Sequence, residues 1–196
     1  MATRGHLGGL SVAVPEAARL LRAVGYRWVI VETVGIGQVE LDVAAESDTT
    51  VVVVNPGAGD AVQATKAGLF EIADVFVVNK ADRPGTADTV ADLERMLSLR
   101  SGDGWRPPVV VTTATTGAGV DELFTAIERH HEWSVASGAL ETRRARRREV
   151  ELERLVEAAV AERARRANGE WSDARDAVRR GDVDPWSVVD SILGDD

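Results

Sequence analysis

Asparagine, lysine and aspartate stand at positions 79, 80 and 82, directly after the apolar run Val75-Phe76-Val77-Val78. This N-K-x-D spacing suits guanine. An aspartate carboxylate accepts two hydrogen bonds at once, from the ring N–H and from the exocyclic amine of that base. Adenine offers no such donor pair on the same edge. The stem of Lys80 can lie along the base face, and the amide of Asn79 can tie its loop to a neighbouring loop. A site that depends on paired, buried hydrogen bonds rejects a ligand lacking one of the donors. A four-residue pattern alone occurs by chance; at the end of an apolar strand it carries much more weight.

Two further groups stand at corresponding places. After the run Val109-Val110-Val111-Thr112 comes Thr113-Ala114-Thr115-Thr116-Gly117-Ala118-Gly119. A small polar residue, an alanine and glycines opening a helix are similar to the second guanine-contacting loop of G proteins. Thr113, Ala114 and Thr115 would form it, with a backbone N–H near Ala114 donating to the guanine carbonyl. After Trp28-Val29-Ile30-Val31 comes Glu32-Thr33-Val34-Gly35-Ile36-Gly37-Gln38. Glu32 then takes the place of an acid that holds Mg²⁺, and Gly35 that of a glycine whose N–H reaches a γ-phosphate. The flexible Gly35-Ile36-Gly37 would let this loop respond to the γ-phosphate. The plain alternative for Glu32 is a strand-end acid capping its loop. Asp60, after Asn55-Pro56-Gly57-Ala58-Gly59, reads foremost as a helix N-cap.

The elements that must position these groups follow from the pattern of apolar residues. Short β-branched runs at Trp28–Glu32, Thr49–Asn55, Val75–Asn79 and Pro108–Thr113 predict four strands. Amphipathic stretches at Pro15–Val24, Ala61–Ile72, Ala87–Leu99 and Val120–Glu132 predict the helices between them. Strands apolar throughout and separated by helices indicate an α/β fold, with a mostly parallel sheet covered on both faces. In such sheets ligands bind beyond the carboxyl ends of the strands, where all three groups stand. Beyond that region strand signals vanish. Glu141–Ala167 is rich in Ala, Leu, Arg and Glu and predicts a long helix, with shorter ones over Ser172–Arg180 and Pro185–Leu193. The expected division is residues 1–136 as the α/β part and 137–196 as a helical arm.

Composition narrows the functional classes. The 196 residues are 44% hydrophobic and 28% charged, as in a globular chain with a core. No apolar run nears the ~20 residues of a membrane helix, so no membrane partner is expected. The net charge of -9 argues against a broad nucleic-acid surface. With no cysteine there is neither a disulfide framework nor a thiolate metal site, which fits a cytoplasmic protein. The cluster Arg143, Arg144, Arg146, Arg147 and Arg148 reads as a solvated helix face balanced by Glu149, Glu151 and Glu153. His130 and His131 are adjacent and cannot share a helix face, so a metal role for them is not expected.

Together, and in this order, these motifs resemble the MeaB/ArgK family of P-loop GTPases of the SIMIBI class. The segments MATRGHLGGL, VIVETVGIGQVELDVA, NPGAGDAVQATKAGLFEIADVFVVNKADR and DPW extend the resemblance over essentially the whole chain. It implies a GTP-binding, GTP-hydrolysing chaperone of an adenosylcobalamin-dependent acyl-CoA mutase of the methylmalonyl-CoA type. It implies GTP or GDP with Mg²⁺ as ligands, no direct binding of cobalamin, and a homodimer formed through the arm. Asn79, Lys80, Asp82, Thr113, Ala114 and Thr115 would bind guanine and Glu32 would help hold Mg²⁺. Gly35, Ile36 and Gly37 would form the switch, and Gln38 would position water. Val39 departs from the family, which usually has serine there.

A second departure is larger. The sequence contains no G-x-x-x-x-G-K-[ST]; its two lysines, Lys66 and Lys80, are each followed by alanine. The phosphate-binding lysine and the Mg²⁺-binding hydroxyl are therefore not among these residues. Met1 is expected to align with an internal position, making the chain the C-terminal two-thirds of such a protein and inactive alone. The resemblance sets the strand before that loop between the strands ending in Glu32 and in Asn79. Its loss would leave two inward edges unpaired and prone to aggregation. The alternative function is a non-catalytic dimerisation or protein-binding remnant. A metallochaperone GTPase is disfavoured by the want of Cys/His metal sites.

Overall fold

The computed structural model describes residues 13–33, 45–57, 69–99, 104–166 and 170–193. Its elements, in chain order, are α1 (Ala13–Ala23), β1 (Val51–Val54), α2 (Leu69–Ile72), β2 (Val75–Val78) and α3 (Thr86–Ser98). Then follow β3 (Val109–Val111), α4 (Val120–Ala136), α5 (Ala139–Arg166), α6 (Glu170–Arg180) and α7 (Pro185–Leu193). The chain divides into two compact units, Met1–Arg144 and Ala145–Asp196.

In the first unit the strands form a parallel sheet of order β1-β2-β3, with Val51 beside Val75 and Val77 beside Val110. All four residues of β2 are buried, as a central parallel strand with both faces covered requires. One face carries Val52, Val54, Phe76 and Val78, which pack with Leu93 and Leu97 of α3. Thr89, Leu93 and Leu97 recur every four residues, so α3 turns one stripe toward the sheet. Phe70 closes this layer, with its ring centroid 4.7 Å from that of Phe76. The other face carries Val75 and Val77 under Ala126 of α4, flanked by Leu123 and Ile127.

Two expectations are corrected. Trp28–Glu32 is not a strand, and residues 28–33 have no regular structure. A strand exists only through ladder hydrogen bonds, and these residues take none within the sheet. Trp28 packs edge-on against Phe124 at 5.4 Å, while Ile30 is 91% exposed. Nor does a gap lie beside β2. That strand pairs with β1 on one side and β3 on the other, so among the described residues the edges of the sheet are β1 and β3. Val53 of β1, on the face opposite Val52 and Val54, is 57% exposed, while those two are buried.

The helix expected over Ala61–Ile72 is described only as Leu69–Ile72; the rest, with Asp60, lies outside the described residues. In the second unit α6 and α7 follow the expected spans. Asp184 caps α7 by accepting hydrogen bonds from the N–H groups of Trp186 and Ser187 at 3.0 and 3.1 Å. The Ser187 hydroxyl also donates to this carboxylate, and these bonds lower its pKa. Among the described residues no helix is long and apolar enough to cross a membrane.

Candidate guanine-binding site

β2 and β3 end side by side, so the loops after them are neighbours. The pairing runs past the strands: Thr112 N–H donates to Val78 C=O at 2.9 Å and Ala81 N–H to Thr112 C=O at 3.1 Å. Asn79 N–H donates to Val54 C=O at 2.9 Å, which joins the end of β1 as well. The Asn79 side chain then bridges the two loops. Its Oδ1 accepts from the Thr112 hydroxyl and from the Ala114 N–H, both at 3.1 Å. Thr112 is buried, so its hydroxyl needs that partner. The expected tie between loops is therefore present, and it engages the Ala114 N–H itself.

Past Asn79 the chain turns sharply. Lys80 takes φ 58°, the left-handed region that a side chain rarely adopts. Arg83 N–H closes the turn on Lys80 C=O at 3.0 Å. The turn leaves Lys80 and Asp82 exposed beyond the strand end, while Asn79 is half-buried between the loops. Strain held at one such residue is typical of ligand-binding turns.

The second loop is shaped by its glycines. Thr113 N–H donates to Ala118 C=O at 2.9 Å, and Gly117 N–H to Thr113 C=O at 3.1 Å. Gly119, at φ 75°, opens α4. A Cβ on it would lie 2.0 Å from the carbonyl oxygen of Val111, so no other residue fits without moving β3. Ala114 and Thr115 are thereby presented, exposed, at the tip. Gly57 brings in the loop after β1. A Cβ on Gly85 would come within 3.5 Å of the Gly57 Cα, so the two glycines pack backbone against backbone.

Asn79, Lys80, Asp82, Thr113, Ala114 and Thr115 thus lie at one end of the sheet, with an exposed carboxylate and an exposed ammonium, while the Ala114 N–H expected to meet a guanine carbonyl is instead donated to Asn79 Oδ1. Glu32 is exposed at the end of an irregular segment. Gly35, Ile36, Gly37, Gln38 and Val39 lie outside the described residues. No group of three or more His, Asp or Glu that could hold a metal ion occurs among the described residues. One exposed carboxylate does not bind Mg²⁺ by itself, since the ion needs an octahedral set of oxygens. The described residues alone therefore do not complete a Mg²⁺ site.

The opposite end of the sheet holds a polar cluster that charge patterning missed. Asp74, just before β2, is buried. Its carboxylate accepts both terminal nitrogens of Arg143, at 2.8 and 3.0 Å, and the Thr50 N–H at 2.8 Å. His130, fully buried, places Nε2 3.2 Å from Asp74 Oδ1, off line for a hydrogen bond, and Nδ1 2.8 Å from the Thr49 hydroxyl. Trp105 donates its indole N–H to Asp74 C=O at 2.7 Å and stacks edge-on against His130. Burial alone would raise the Asp74 pKa; the His130 imidazole, the Arg143 guanidinium and the Thr50 N–H outweigh it and hold the group at about 2. Arg144 grips Asp48 in parallel, at 2.5 Å. Arg143 and Arg144 therefore do not belong to the solvated face expected for the arginine run. They seat the first turns of α5 on the body of their own unit.

Comparison with known proteins bears on this arrangement. The model of the family described as methylmalonyl Co-A mutase-associated GTPase MeaB matches residues 1–169. The chain belongs to the MeaB family. It is 45% identical over 199 residues to a putative GTPase of Pyrococcus abyssi, covering 98% of this chain and 61% of that protein. It is 39% identical over 143 residues to GTPase ArgK of Escherichia coli, covering 70% and 43% of the two chains. To the mitochondrial methylmalonic aciduria type A homolog of Mus musculus it is 34% identical over 167 residues, or 82% and 40%. Among solved structures, that of an LAO/AO transport system kinase superposes with a TM-score of 0.64 at 29% identity, covering 91% of this chain and 60% of that one. This MeaB-family chain thus spans about three-fifths of the length of the relatives it matches most fully.

Proposed function

We propose that the two loops at the carboxyl ends of β2 and β3 recognise guanine, and that the chain supplies the base-binding part of a GTPase. The single observation that carries this is Asn79, whose Oδ1 joins the N-K-x-D loop to the Ala114 loop. That bond fixes the distance between an aspartate suited to the N1–H and amino edge of guanine and the tip of the second loop, where, with the Ala114 N–H given to Asn79, the neighbouring Thr115 N–H is the donor suited to the guanine carbonyl. Family membership supports GTP hydrolysis as the activity of the whole protein, with Gly35, Ile36 and Gly37 as the switch, Gln38 positioning water and Glu32 helping to hold Mg²⁺ there. The family description supports association with a methylmalonyl-CoA mutase, which in this reading is adenosylcobalamin-dependent and is served in the cytoplasm. In the second unit Leu152, Leu155, Val156 and Val160 lie exposed at helical spacing along α5, which supports self-association of the arm.

Titration of the chain with GMP and AMP, followed by backbone amide resonances, tests the base site. GMP is expected to shift the amides of Ala114, Thr115 and Asp82, and AMP to leave them in place. Equal response to both nucleotides would refute guanine recognition. The second reading, a protein-binding remnant without turnover, is favoured by the lack of any G-x-x-x-x-G-K-[ST] among these residues. GTP hydrolysis by the chain alone at a rate above the uncatalysed background, lost on Asp82→Ala, would exclude that reading.

A further inference from the structure

The turn that presents Asp82 is held from below by a side chain that the N-K-x-D pattern does not contain. Thr86, the first residue of α3, directs its hydroxyl at two carbonyl oxygens, Arg83 C=O at 2.9 Å and Ala81 C=O at 3.2 Å. These carbonyls belong to the residues on either side of Asp82. One hydroxyl hydrogen shared between them holds the Ala81–Asp82 peptide, which enters the aspartate, and the Arg83–Pro84 peptide one residue past it, and so restrains where the Cα–Cβ bond of Asp82 points. The need for such a brace is local. Lys80 sits at φ 58° and Gly85 at φ 90°, so the turn begins and ends in the left-handed region. Ladder contacts hold only its first half, through Asn79 N–H and Ala81 N–H. Beyond Ala81, the Arg83 N–H donates to Lys80 C=O at 3.0 Å and the Thr89 N–H to Gly85 C=O at 3.0 Å; the first closes the turn and the second belongs to the start of α3, so neither ties residues 82–84 to the body. Thr86 supplies that tie, from a helix that is itself seated on the sheet through Thr89, Leu93 and Leu97.

The geometry points to Thr86 as a positioning residue for guanine specificity, acting through the backbone on either side of Asp82 without touching the base. This rests on the guanine-binding role proposed above. Its consequence is particular. A loosened Asp82 still meets one donor of the base but no longer holds the two-pronged geometry, so the preference for guanine over hypoxanthine, which lacks the exocyclic amine, is lost first. Deleting one hydrogen-bonding hydroxyl of this kind corresponds to about a fivefold change in an equilibrium constant.

The test measures dissociation constants of GMP, IMP and AMP on the 196-residue chain by equilibrium dialysis, for wild type, Thr86→Val and Thr86→Ser. The expected result is a GMP preference over IMP in the wild type, reduced about fivefold in the valine variant and restored by serine, which keeps the hydroxyl. An intact amide spectrum for Ala114 and Thr115 shows that the second loop is unaffected. If the valine variant does not fold, Thr86→Ala, which adds no branched carbon against the carbonyls, is read in its place. An unchanged GMP/IMP ratio in the folded hydroxyl-free variant would overturn the role of Thr86 while leaving guanine recognition standing. A wild-type chain that binds GMP no better than AMP would overturn both.

Discussion

Replacing Asp74 by asparagine removes one charge from the cluster beneath the sheet while keeping the side-chain shape. The loss can be estimated in two ways. The Asp74 pKa falls from 3.8 to about 2 in the folded chain. At ~1.4 kcal/mol per unit this linkage amounts to about 2 kcal/mol of stability. Independently, removing one partner of a buried ion pair costs ~3–5 kcal/mol, with the lower end fitting here because the Arg143 side chain is 34% exposed. A destabilisation of ~2–3 kcal/mol at pH 7 follows. Trp105 and Trp133 pack against His130 in the same cluster and report unfolding by fluorescence. With a urea m-value of ~2 kcal/mol/M, the midpoint should fall by about 1–1.5 M. The pH dependence is a second handle. Because the folded-state pKa is depressed, the unfolded chain binds the proton first as pH falls. The contribution is whole above pH ~4 and is lost as pH drops toward about 2. The wild type should therefore lose stability more steeply than Asp74→Asn over that window. A midpoint shift below ~0.3 M, or equal pH slopes for the two proteins, would refute the cluster's energetic role. Arg144→Ala, which breaks the more exposed pair with Asp48, should cost no more than ~1 kcal/mol in the same assay.

Gly119→Ala should cost more than ~2 kcal/mol, since it adds the left-handed penalty to a Cβ placed 2.0 Å from Val111 C=O. It should also move the Ala114 and Thr115 amides while Gly117→Ala, which meets nothing within 4 Å, leaves the strand end in place; similar stability of the two variants would count against this packing. Trp28, Ile30, Val53 and Phe124 expose apolar surface, at 41%, 91%, 57% and 45%. The chain alone is expected to bind a hydrophobic fluorescent dye and to self-associate, and Ile30→Ser should reduce both, an unchanged signal being the contrary result.

The fold of the first unit was legible where the signal was local. Val75–Val78 is apolar throughout because both its faces are covered, and the motif following it lands at a strand end as that pattern requires. The stripe of Thr89, Leu93 and Leu97 was likewise readable as helical spacing. What escaped depends on partners remote in sequence. Trp28–Glu32 has the composition of a strand, but composition cannot supply the neighbour that a ladder needs. Arg143 and Arg144 stand in a run of charge that looks solvated, yet their carboxylates are 69 and 96 residues away in the chain. Gly119 was visible as a glycine opening a helix, whereas the carbonyl that excludes every other residue comes from β3. In the site itself the six positions proposed to meet guanine lie at one end of the sheet, at the carboxyl ends of β2 and β3. The Thr86 brace went unread although it is local, because a threonine one turn past a motif has no distinguishing spacing.

The most direct test of guanine recognition exchanges the base. Asp82→Asn replaces one acceptor oxygen by a donor amide, which matches the additional carbonyl of xanthine in place of the guanine amine. Dissociation constants for GMP and XMP on wild type and Asp82→Asn should invert in order: the wild type prefers GMP, the variant XMP. Unchanged preference, or equal binding of both nucleotides to both proteins, would show that Asp82 does not face the base and would contradict the account.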